Sequence, residues 1–71
     1  MTFESVLAEF KDYLEADTIC EVVNTSRGYT VLLWEEKLKQ WYGVELCPTP
    51  QDLRQVLQTN CNEFETIEKR Y

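Results

Sequence analysis

The chain contains no histidine. That absence removes the commonest general base, the commonest metal ligand and the usual switch near neutral pH. Ser-His-Asp and Cys-His arrangements are excluded with it. Glycine is nearly as scarce, with only Gly28 and Gly43, so no glycine-rich loop exists to cradle a phosphate. With two prolines as well, long coil is not expected. No long apolar run is present. The longest, Val31 to Trp34, falls far short of the roughly 20 residues that span a bilayer. The N-terminal stretch has no basic region leading into an apolar one, and carries Glu4, Glu9 and Asp12 instead, so no signal peptide is expected. Cys20, Cys47 and Cys61 have no CxxC spacing and cannot all pair within one chain. They read as reduced, small apolar residues of a cytoplasmic protein.

What is present fits one small globular domain over residues 1–71. Apolar residues make up 44% and aromatics 13%, values that separate this chain from disordered tails. The net charge of −6 lies almost wholly in residues 1–26, where six acids meet one lysine. Phosphate binding depends on cationic side chains, so direct nucleic-acid binding is not expected, nor is an anionic membrane surface.

The hydropathy period changes along the chain. Phe3, Val6, Leu7, Phe10, Tyr13 and Leu14 recur at steps of three and four, which predicts an amphipathic helix capped by Thr2. Asp17-Thr18 lies beyond its end. A period of two follows in Ile19–Val23, Tyr29–Glu35 and Trp41–Leu46, which predicts three short strands. Leu53, Val56, Leu57, Cys61, Phe64 and Ile67 then form a second helical stripe, opened by Thr49 as cap and Pro50 in the first turn. Asn60 interrupts that stripe, and Asn60–Glu63 resembles a new cap, so residues 50–70 form one helix or two; one is favoured. A Glu65–Lys69 pair would support its last turns.

The predicted architecture is α+β, in the order α-β-β-β-α: a three-stranded antiparallel sheet with two amphipathic helices on one face. A two-residue turn at Lys37-Leu38 sets Trp34 opposite Trp41, Leu33 opposite Tyr42 and Val31 opposite Val44. A turn over residues 25–28 sets Val22 opposite Val31 and Cys20 opposite Leu33. On this register Cys20, Val22, Tyr29, Val31, Leu33, Tyr42, Val44 and Leu46 share the covered face. Ile19, Glu21, Val23, Thr30, Leu32, Trp34, Trp41 and Glu45 share the open one.

The α-β-β-β-α order resembles the double-stranded RNA-binding domain in element order and length. That family grips phosphates with a basic cluster at the start of its last helix and lays its first helix in the minor groove. Here the corresponding stretch, Thr49-Pro50-Gln51-Asp52-Leu53-Arg54, holds one acid and one base, and the first helix is acidic. The resemblance therefore implies an architecture and carries no RNA-binding role with it.

No catalytic residues, cofactor or metal are expected. A zinc site would need all three cysteines and a carboxylate, but Cys20 and Cys47 fall on opposite alternations. Glu21 and Glu45 share the open face, with the central strand between them and too little material for a cleft. The candidate working surface is that face: Val23, Leu32, Trp34, Trp41 and Glu45, where the paired tryptophans suit a protein interface. The expected partner is a protein, in the simplest case a second copy forming a twofold homodimer. The alternative uses the acidic helix edge of Glu4, Asp12 and Glu15. Such an edge can imitate nucleic-acid phosphates and block a basic DNA- or RNA-binding protein, as an accessory protein of bacterial, phage or plasmid type would.

Overall fold

Thr2 opens the first helix through a reciprocal cap. The Ser5 amide donates to Thr2 Oγ1 at 3.1 Å, and the Thr2 amide donates to Ser5 Oγ at 3.1 Å. The computed structural model of the chain describes residues 1–68. The predicted first helix is two: α1 (Phe3–Glu9) and α2 (Lys11–Ala16), separated at Phe10. Bonds from Phe10 N to Val6 O and from Leu14 N to Phe10 O carry helical hydrogen bonding across the break. The apolar stripe therefore stays in step, and Val6, Phe10 and Tyr13 all enter the core.

Three antiparallel strands follow: β1 (Cys20–Thr25), β2 (Gly28–Glu35) and β3 (Gln40–Cys47), in spatial order β1-β2-β3. The chain closes on α3 (Pro50–Glu68), one continuous helix. Its start is capped by Thr49, whose Oγ1 accepts from the Asp52 amide at 3.2 Å. Asn60 does not break α3, because it sits at the half-buried wall of a water-accessible hollow. Lys69, and with it the expected Glu65–Lys69 pair, lies outside the described residues, as does the side chain of Ile67.

The core lies between the helices and one face of the sheet. Leu53 and Leu57 of α3 are fully enclosed by Val6, Phe10 and Tyr13 from the first two helices and by Cys20, Val31 and Cys47 from the strands. Aromatic contacts tie the layers: Phe3 meets Tyr29 at 4.6 Å between ring centroids, and Tyr13 meets Phe64 edge-on at 5.6 Å. Arg54 of α3 donates to both carboxylate oxygens of Glu9 at 2.8 and 3.2 Å. That pair is half exposed, so it contributes at most about 1 kcal/mol.

The β1–β2 register is the predicted one, with Val22 opposite Val31 and Cys20 opposite Leu33. The β2–β3 register is correct only near its turn. Trp34 faces Trp41, but Leu33 faces Gly43 and Val31 faces Glu45, because a bulge leaves Tyr42 as an extra residue. One added residue turns the rest of β3 over. Val44 and Leu46, expected on the covered face, lie on the open one; Glu45 and Cys47 move the other way.

Small side chains explain why this register wins. Leu33 packs over Gly43, where an added Cβ would stand 3.1 Å from Leu33 Cδ1. At the far end, Gly28 has a φ of +122° and lies so close to the Cys47 carbonyl that a Cβ would approach it to 2.5 Å. Glycine at both places lets β3 close onto β2 and brings Cys47 into the core.

Candidate functional site

Helices cover one side of the sheet, and its other side is bare. The register places side chains there in three rows: Ile19, Trp34 and Trp41; then Glu21, Leu32 and Val44; then Val23, Thr30 and Leu46. Exposure is high for apolar residues: 64% for Val44, 50% for Leu46, 41% for Trp41, 40% for Val23 and 38% for Ile19. Isolated exposed aliphatics are ordinary, but a contiguous patch of them is not.

The tryptophans meet at the hairpin end. Their ring centroids lie 4.9 Å apart at 71°, an edge-to-face pair. Trp34 Nε1 donates to Glu36 Oε2 at 2.8 Å, which fixes the orientation of that indole. Lys39 contacts the other oxygen of Glu36. Together the Lys39 ammonium and the indole N–H hold the Glu36 carboxyl below the ordinary glutamate range. Beside this pair the sheet forms an open hollow of about 300 Å³, lined by Thr18, Ile19, Glu21, Trp34 and Trp41.

Val23, Leu32, Trp34 and Trp41 thus come together on one face, as the alternation predicts. Glu45 does not join them. It stands opposite Val31 on the helix side, at the rim of a hollow of about 390 Å³ with Asp52 and Asn60 of α3. The expected Glu21–Glu45 pair is therefore split between the two faces of the sheet. Val44 and Leu46 were missed as surface residues. The signal for them was Gly43, since a glycine inside a strand pattern marks a bulge.

Glu4, Asp12 and Glu15 are all exposed on the first two helices. Their neighbours are otherwise engaged. Glu9 is paired with Arg54, and Asp17 is buried, accepting from the Tyr13 hydroxyl at 2.7 Å and the Ile19 amide at 3.3 Å. Burial, then the bond to Asp17, pushes the Tyr13 hydroxyl far above the ordinary tyrosine range.

All three cysteines are free. Cys20 and Cys47 are both core residues on the helix side, contrary to the opposite alternations expected for them. Among the described residues no three His, Cys, Asp or Glu side chains cluster as metal ligands. No helix among them is long and apolar enough to cross a membrane. Comparison with known proteins finds no family model, no curated protein and no solved structure that matches this chain.

Proposed function

We propose that this chain is a non-enzymatic docking module whose working surface is the uncovered face of its sheet. One observation carries the reading: five large apolar side chains, each more than a third exposed, lie contiguous on a rigid hydrogen-bonded platform. Covering them removes apolar surface from water at about 25 cal/mol per Å². The rigid tryptophan pair supplies the kind of anchor on which interfaces concentrate their energy. Two occupants suit such a face: a second copy of the chain, or a different protein.

Imitation of nucleic acid by the acidic helix edge is less well supported. Its three carboxylates, Glu4, Asp12 and Glu15, are exposed, but the acids flanking them are engaged within the fold, Glu9 with Arg54 and Asp17 with Tyr13. Glu4 stands on α1, whereas Asp12 and Glu15 stand on α2.

A photo-cross-linking residue at position 46, with the chain expressed in the cells it comes from, tests the docking reading. A discrete adduct is expected from position 46 and none from position 63, on the exposed side of α3. Val44→Lys with Val23→Lys, both exposed on the same face, should leave the circular dichroism intact while abolishing the adduct. Charge reversal at Asp12 and Glu15 should leave it in place. An adduct that survives the face substitutions and vanishes with the helix charges would transfer the function to the acidic edge.

A further inference from the structure

The charge on the sheet face chooses between the two occupants. Among the described residues the face carries one ionisable side chain, Glu21, set beside Leu32 and Val44 in its middle row. The described cations lie elsewhere. Lys11 and Arg54 are on helices, Arg27 is in the first turn, and Lys37 and Lys39 are in the second. A second copy laid face to face would bring apolar rows together but add another carboxylate, while the nearest described cation, Lys39, is already paired with Glu36. It would also join two chains of net charge −6.

Resting on the docking reading above, we infer that the face receives a different protein, through a segment that sets an arginine among aliphatic side chains. The guanidinium enters the hollow between the Trp34/Trp41 pair and Glu21; the aliphatic neighbours cover Leu32, Val44 and Leu46. Each part of the hollow matches that group. An indole face attracts a cation, most strongly when water is excluded. A carboxylate at its edge takes the guanidinium hydrogen bonds in a planar fork. Arginine is favoured over lysine because its flat, weakly hydrated group stacks on a ring while bonding sideways. The Glu36 carboxylate, itself paired with Lys39, keeps the Trp34 indole in place.

The chain contains its own reporter. Trp34 and Trp41 are its two tryptophans, so all indole emission arises at this hollow. The probes are end-blocked five-residue peptides of alternating leucine with arginine, glutamine or glutamate. The intact chain is titrated with each at low and high salt, and its mass is followed by light scattering. A monomer is expected. Its emission should change saturably with the arginine peptide, at least tenfold tighter than with the glutamine one, and not at all with the glutamate one. Glu21→Gln should weaken arginine binding fivefold or more, flatten its salt dependence and leave glutamine binding unchanged. Leu46→Lys should abolish both.

Equal affinity for the arginine and glutamine peptides, indifference to Glu21→Gln, or no binding of any peptide overturns the basic partner. A dimer disrupted by Leu46→Lys overturns it too, and leaves the docking reading standing with a second copy as occupant. Failure of the docking reading itself shows separately, as a missing cross-link at position 46.

Discussion

Asp17 sits where α2 gives way to β1, with 8% of its surface exposed. A buried carboxylate is costly unless its oxygens find donors. Here they find two: the Tyr13 hydroxyl, one turn back, and the Ile19 amide, two residues on. The side chain thereby staples the end of the helix to the start of the sheet. An Asp after a helical stripe is an ordinary turn residue in sequence, and nothing in the pattern marks it as buried. Tyr13→Phe keeps the ring against Phe64 and removes only the donor. It should cost about 1–3 kcal/mol, because the carboxylate then stays buried with one long bond. Urea denaturation reads this as a lower midpoint at unchanged slope. A shift below about 0.5 kcal/mol would mean that water replaces the hydroxyl, and the staple would lose its structural role.

At the scale of elements, legibility follows how much of the signal is local. Caps at Thr2 and Thr49 and the β1–β2 register are set by residues near one another in sequence, and were readable; the continuity of α3 was only favoured, because Asn60–Glu63 reads locally as a new cap. The break at Phe10 was not readable, because no glycine or proline marks it and the stripe runs through it undisturbed. The bulge in β3 had one local mark, Gly43, but the alternation around it did not fix the register. A period of two has the same appearance whether or not one residue is skipped, so Tyr42 to Leu46 reads equally well on either face. Trp34 and Trp41 fall on the open face as expected because they lie on the turn side of the bulge, whereas Glu45 lies beyond it and was misplaced. Gly43→Val tests the register by its sign. With Gly43 under Leu33, the substitution should destabilise by about 1–3 kcal/mol through overpacking. With Gly43 on the open face, a β-branched residue would stabilise the strand instead.

Among the described residues of the molecule, four groups resist losing their protons. Burial, chiefly, pushes up the Tyr13 hydroxyl and the Cys20 and Cys47 thiols, with nearby carboxylates adding to it; desolvation and Glu65 push up the half-buried Cys61. A raised pKa in the folded state means that the unfolded chain releases its proton first as pH rises. Stability from these groups is therefore complete below about pH 8.5, the ordinary thiol value, and falls above it. Each fully buried group allows a loss of up to about 1.4 kcal/mol per pH unit, so Cys20 and Cys47 together allow about 2–3. A domain of this size holds only about 4–10 kcal/mol in all. A progressive loss of stability as pH rises above about 8.5 is the expected result, measured by urea titration under reducing conditions at successive pH values. Replacing Cys20 and Cys47 with alanine should lower stability at pH 7 yet give a shallower decline between pH 8.5 and 10. Tyr13→Phe should flatten the curve only above about pH 10, where tyrosine titrates in the unfolded chain. Constant stability to pH 10.5 in the natural chain would show that the thiols ionise as readily folded as unfolded. The layer between α3 and the sheet would then be open to water, and the bare face opposite would lose the rigid platform that docking requires.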